Sequence, residues 1–247
     1  MAIITKLNYS PNFKAKKRSI KQIKYIIIHY TGMKKESEAI SRLTDIQSEV
    51  SCHYLIRNNG EIITMVPESY IAWHVGKSSW GGHKSLNKNS IGIEITNPGH
   101  EFNYKKFNKK QITSLLKLSK FLIKKYKINI KNILGHLDVA PERKKDPGEK
   151  FPWKYLAKNK VGIWHTISKQ VLKKNRMLET NNVNKKFFFK NLFKIGYSKK
   201  IPKNLNKNEY LVFVIKAFQR RFRQDLIDGK IDRECLLISQ NLMERFH

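Results

Sequence analysis

Residues 24–30 read KYIIIHY, a β-branched and aromatic run with a histidine near its end. Such a run is a buried strand, and it places His29 at the strand's edge. Working outward, residues 37–43 suit a short helix. Two apolar runs at 53–56 and 61–66 flank Asn58-Asn59-Gly60, the signal of a β-hairpin. A further strand is expected at residues 90–95, SIGIEI. Between residues 109 and 126, Ile112, Leu115, Leu116, Leu118, Leu122 and Ile123 recur at helical spacing among lysines, which predicts an amphipathic helix covering the sheet. Residues 132–135 form a short strand that ends at His136. The following stretch carries Pro141, Pro147, Gly148 and Pro152 and reads as loop. The fold class is α/β: a mixed central β-sheet flanked by helices.

Weak periodicity and clustered asparagine make residues 175–184 (NRMLETNNVN) a linker. Beyond it, residues 187–195, 209–223 and 233–246 show helical spacing, separated by breaks at 196–206 and at Asp228-Gly229. The expected organisation is a first domain over 1–174, a linker over 175–184 and a small three-helix domain over 185–247. From residue 185 to 207, lysines and no acid interleave with Phe187, Phe188, Phe189, Phe193 and Tyr197. Those aromatics are either the core of the small domain or a surface for a polyanion or glycan.

The chain has 247 residues, and 50 Lys+Arg against 19 Asp+Glu give a formal net charge of +31. A surface this positive is drawn to nucleic acid, anionic lipid or an acidic polymer, so the charge names a class of partner and no activity. A hydrophobic share of 40% is enough for a real core. No apolar run approaches the roughly 20 residues that span a bilayer, and the lysine-rich residues 1–20 lack the apolar block of a secretory signal. The expected compartment is left between cytoplasm and cell envelope. Cys52 and Cys235 form neither a disulfide framework nor a metal knuckle.

Chemistry concentrates before residue 150. His29 and His136 each end a strand, and Asp146 follows His136 by ten residues in a Pro/Gly loop. Two imidazoles and a carboxylate are a ligand set for a catalytic zinc that keeps a fourth position for water, although eight histidines allow accidental triplets.

Five ordered segments add specificity. Tyr25-Ile-Ile-Ile-His29-Tyr-Thr-Gly32, Ser51-Cys-His-Tyr-Leu-Ile56, Ala72-Trp-His-Val-Gly76, Ser90-Ile-Gly-Ile-Glu94 and residues 135–148 (GHLDVAPERKKDPG) with Phe151-Pro-Trp153 resemble the zinc-dependent N-acetylmuramoyl-L-alanine amidases of the AmpD/AmiD type. That family is related in fold to peptidoglycan-recognition proteins and phage amidases. The resemblance runs over residues 8–163. Phe193-Lys-Ile-Gly-Tyr197 and Ala217-Phe-Gln-Arg-Arg-Phe222 resemble the helical peptidoglycan-binding module of the AmiD branch.

The resemblance implies that His29, His136 and Asp146 bind one zinc ion. It implies that Glu94 is the general base, with a structural carboxylate as its alternative, and that Lys144 holds the oxyanion, with Lys145 adjacent. Trp73, His74, Asn89, Asn97 and Arg143, with Trp80, are candidate substrate contacts. His53 reads more readily as a hydrogen-bonded structural histidine, and Cys52 as small packing where phage relatives carry a tyrosine. The implied activity is hydrolysis of the amide between N-acetylmuramic acid, including the 1,6-anhydro form, and L-alanine in peptidoglycan or muropeptides, for wall turnover or recycling. A non-catalytic peptidoglycan receptor and a nucleic-acid-binding protein are the rival readings, and neither explains the ordered motifs together with a full ligand set.

Overall fold

Alternation along two neighbouring strands organises the molecule, whose computed structural model describes residues 5–247. The strands are β1 (Lys6–Leu7), β2 (Phe13–Lys14), β3 (Tyr25–Tyr30), β4 (Tyr54–Ile56), β5 (Ile62–Thr64), β6 (Ile71–Ala72), β7 (Ser79–Trp80), β8 (His83–Lys84), β9 (Ser90–Ile95) and β10 (Ile133–Gly135). The helices are α1 (Glu36–Thr44), α2 (Lys109–Tyr126), α3 (His136–Val139), α4 (Trp153–Lys158), α5 (Lys169–Asn175), α6 (Asn182–Ile195), α7 (Lys207–Phe222) and α8 (Arg233–Phe246).

Six strands form the central sheet in the order β1-β5-β4-β9-β3-β10. The β4–β5 hairpin is antiparallel and every other pairing is parallel, so the sheet is mixed as expected. Strands β3 and β9 run in register, with Tyr25 beside Ser90, Ile27 beside Gly92 and His29 beside Glu94. Successive residues of a strand face opposite sides. Ile26 and Ile28 therefore share one face with Ile91, Ile93 and Ile95, all fully buried in a cluster with Leu115, Leu118 and Leu122 of α2. The other face carries Tyr25, Ile27 and His29 with Ser90, Gly92 and Glu94. The first side is core against α2; on the second, Tyr25 and Ile27 are buried too, and chemistry can be placed only at the strand ends that carry His29 and Glu94.

Helix α2 has the ends its periodicity predicts, because Asn108 caps it by accepting from the Gln111 N–H. Around His136 the structure differs from expectation. His136 does not end a strand; the chain turns at Gly135, and His136 opens the short helix α3.

The C-terminal helices share a buried cluster with the sheet. Phe188, Leu192, Phe218, Phe222 and Leu242 lie in one apolar group with Tyr25, Ile27, Leu134 and Leu137. Of the aromatics between 185 and 207, Phe188 and Tyr197 are core, Phe189 and Phe193 are half-buried, and Phe187 is 41% exposed. The segment 175–184 is shorter as a connection than expected, since Asn181 caps α6 and residues 182–184 already form its first turn. Arg176 is also tied down, to Glu234 at 2.7 Å and Asp225 at 3.2 Å. Asparagine is a poor helix former but a good cap, which is why its clustering here reads as a linker. Among the described residues no helix is long and apolar enough to cross a membrane.

Candidate active site

The parallel register of β3 and β9 sets His29 and Glu94 side by side on the face opposite α2. Strand β10 pairs with β3 up to Gly135 and Ile28, so His136, one residue further on, arrives level with His29. The loop after α3 brings back Asp146, whose carbonyl accepts from the Leu137 N–H at 2.9 Å. Three separate segments thereby converge.

His29 Nδ1 lies 3.0 Å from His136 Nδ1 and 3.0 Å from Asp146 Oδ2, and His136 Nδ1 lies 3.2 Å from the same oxygen. All three residues are buried. On its far side, His136 Nε2 stands 3.2 Å from the Val75 carbonyl oxygen, which can only accept. Its proton therefore sits on Nε2, and Nδ1 presents a lone pair to the cluster. Burial, and then the neighbouring His136, lowers the pKa of His29 to about 4, so this imidazole is neutral near pH 7. Burial alone would raise the Asp146 carboxyl, and only positive charge or N–H donation from the ring nitrogens beside it holds it below the usual range. Lone pairs from two imidazoles and a carboxylate at such separations repel unless a proton or a cation lies among them. The donor set suits a divalent ion that accepts nitrogen and oxygen.

Glu94 is the second feature. Its Oε2 is buried without a hydrogen-bond partner, and burial, followed by the negative charge of Asp146, raises its pKa to about 8. A lone carboxylate held this way is available to take a proton. Glu94, the three clustered residues and Lys144 line one cavity of about 600 Å³. Lys145, more exposed than Lys144, lines it as well.

Other sequence-expected residues sort by position. Trp73, 37% exposed, and His74 line the cavity. Arg143 lines it too, but its Nη2 donates to the backbone carbonyls of Val75 and Lys77. Asn97 is buried beside the site and internally used: its amide donates to the Lys105 carbonyl at 2.9 Å and accepts from the Gly99 N–H at 3.0 Å. Asn89 precedes β9, at the end of that strand remote from Glu94. Trp80 packs on Tyr197 and Gly196 of the C-terminal part, where φ is +140° and an added Cβ would overlap the indole. His53 accepts from the Gly92 N–H at Nδ1 in the core, and Cys52 is packed against Met65. Arg42 of α1 and His100, Glu101 and Phe102 also line the cavity. Nothing in their local pattern marks them, because only the tertiary fold brings them to the cleft.

The model of the Amidase_2 family, described as N-acetylmuramoyl-L-alanine amidase, matches residues 19–149. N-acetylmuramoyl-L-alanine amidase AmiD of Escherichia coli (strain K12) is 35% identical over 237 residues, which cover 91% of this chain and 84% of that protein. The 1,6-anhydro-N-acetylmuramyl-L-alanine amidase AmpD of Haemophilus influenzae is 33% identical over 167 residues, 60% of this chain and 88% of that protein. A solved complex of E. coli AmiD with the substrate anhydro-N-acetylmuramic acid-L-Ala-D-γ-Glu-L-Lys superposes with a TM-score of 0.78 at 34% identity, covering 94% of this chain and 92% of that one. With a matching fold and the converging histidines and aspartate in place, the chain belongs to the N-acetylmuramoyl-L-alanine amidase family, of the AmpD/AmiD type.

Proposed function

We propose that this chain hydrolyses the amide bond between the lactyl group of N-acetylmuramic acid, ordinary or 1,6-anhydro, and the L-alanine of the stem peptide, with one zinc ion held by His29, His136 and Asp146. The observation that carries the reading is the convergence of three lone-pair atoms in the cavity that also holds the unpartnered Glu94 oxygen. When bound, the ion polarises the scissile carbonyl and acidifies the attacking water.

The remaining steps belong to this chain's own side chains. Glu94 takes the proton of the attacking water at Oε2 and passes it to the leaving amine of L-alanine. Its raised pKa makes the ionised form a stronger base than a solvated carboxylate and the protonated form a usable acid, so the base-competent fraction of the metal-free chain grows as pH rises toward 8. The Lys144 ammonium faces the developing oxyanion and stabilises it. Trp73 offers an exposed indole to the sugar or peptide, and Arg42, Lys144 and Lys145 give the stem-peptide carboxylates a cationic rim.

We assign residues 1–174 to the catalytic unit and 185–247 to a helical unit beside it. The Haemophilus AmpD supports this division, since 88% of its own length is matched by 60% of this chain.

The test is mass spectrometry of stem peptide released from intact sacculi and from purified anhydro-muropeptides, with chelator and then with zinc restored. A chelator-sensitive product with a new L-alanine amino terminus is expected. The preferred substrate separates work on the wall in the envelope from work on its fragments in the cytoplasm. No release from either, in a folded zinc-loaded chain, would leave a receptor.

A further inference from the structure

Gly92 lies in the middle of β9, and an added Cβ there would come within 2.5 Å of the Cγ and Nδ1 of His74. The missing side chain opens a hollow over the strand, and the imidazole of His74 fills it. In that place His74 bridges two residues of the sheet. Its Nδ1 lies 3.0 Å from His29 Nε2, and its Nε2 lies 3.1 Å from the Ser90 hydroxyl. His29 and His74 meet edge to face, with rings 5.1 Å apart and 89° between planes.

The protons along this line can be placed one after another. The Leu86 carbonyl accepts only, and Ser90 Oγ lies 2.6 Å from it, so the single hydroxyl proton points there. Ser90 then turns a lone pair to His74, whose Nε2 must carry the N–H. The neutral ring is left with a bare Nδ1, which accepts from His29 Nε2–H. With its Nε2–H engaged by His74, His29 turns Nδ1 to the side where His136 Nδ1 and Asp146 Oδ2 converge, and the His74 line competes with that carboxylate for the single ring proton. Buried polar groups that are each satisfied in one direction define one tautomer.

We propose that His74 and Ser90 are positioning residues for the metal site: the line Leu86 carbonyl, Ser90, His74 fixes the tautomer and ring plane of His29, so that Nδ1 is the nitrogen offered to the ion. This rests on the metal-binding reading above. It removes His74 from the substrate contacts and gives Gly92 a purpose, since any side chain there would displace the ring. Partners in this position are worth about 10- to 100-fold in metal affinity.

The experiment uses the full chain, with ¹⁵N-labelled histidine and long-range ¹⁵N–¹H spectra recorded before any metal is added, followed by Zn²⁺ titration against a chromogenic chelator. Wild type is expected to show His29 as the Nε2–H tautomer. Ser90→Ala is expected to give mixed His29 tautomers and about 10-fold weaker zinc binding, with a wild-type backbone spectrum. His74→Phe, which keeps a ring over Gly92, is expected to weaken zinc binding further. A metal-free wild type with His29 protonated on Nδ1, or a folded Ser90→Ala chain with unchanged tautomer and affinity, would overturn the proposal. Failure of the wild type to bind zinc would sink the metal reading, whereas the tautomer result is obtained without metal and separates the two failures.

Discussion

Arg221 of α7 donates to the carboxylate of Asp138, which sits two residues past His136 on α3, and both side chains are almost fully buried. The same carboxylate accepts from the Tyr197 hydroxyl at 2.9 Å and from the Gly135 N–H at 2.8 Å. Arg221 also donates to the Ile133 carbonyl at 2.9 Å and lies over the Trp153 ring. The C-terminal helices thereby clamp the corner that aims His136 into the site.

Breaking this pair from one side leaves the other charge buried and unpaired, which costs about 3–5 kcal/mol. Asp138→Asn and Arg221→Met are each expected to lower the unfolding free energy of the full chain by about that much, read from urea titration. Tyr197→Phe removes one hydrogen bond and is expected to cost about 1–2 kcal/mol. A loss under about 1 kcal/mol for Arg221→Met would mean that the clamp contributes little.

Glu94→Gln preserves shape and removes the proton acceptor. Turnover on anhydro-muropeptide is expected to fall by about 10²- to 10⁴-fold, while bound zinc, measured by elemental analysis, stays at the wild-type level. Wild-type turnover in this variant would remove Glu94 from the mechanism.

The same residue makes stability depend on pH. Its folded pKa of about 8 stands above the ordinary 4.5, so between those values the folded chain holds a proton that the unfolded chain has lost. The slope of stability with pH is then negative: the contribution of this group is full below about 4.5 and is lost as pH rises toward 8. Metal-free wild type should lose on the order of 1–3 kcal/mol relative to Glu94→Gln between pH 5 and 8. Parallel unfolding curves for the two chains across that range would contradict the assignment.

Arg143 lines the cavity, and its Nη2 donates to the Val75 and Lys77 carbonyls. The Val75 oxygen is also the acceptor that holds His136 Nε2–H. Arg143→Gln is therefore expected to weaken zinc binding by about 10-fold and to change KM for zinc-saturated enzyme little. A large rise in KM at unchanged zinc affinity would restore the substrate role.

What was legible in the sequence is what local pattern carries. Alternation in KYIIIHY and SIGIEI gives two strands with His29 and Glu94 on them, and helical spacing gives α2 with its observed ends. The cluster of His29, His136 and Asp146 is legible only through ordered motifs, because His29 and Asp146 lie 117 residues apart and spacing alone does not join them. Asn97 reads as a contact because it is a polar residue next to a motif, while its internal hydrogen bonds, which close a turn, leave no local pattern. The Arg221–Asp138 clamp and the His74–Ser90 line leave no local trace, since each depends on pairing across the finished fold. The burial of α6, α7 and α8 against the sheet is hidden for the same reason: each helix shows an apolar face, but nothing in its spacing says that the face meets Ile27 and Leu137.

The most direct test is a titration of zinc into chelator-stripped full chain, following hydrolysis of anhydro-muropeptide to free stem peptide. The account predicts no hydrolysis without metal and activity that saturates at one zinc per chain, with both lost in His136→Ala. Undiminished hydrolysis by the metal-free chain would contradict it.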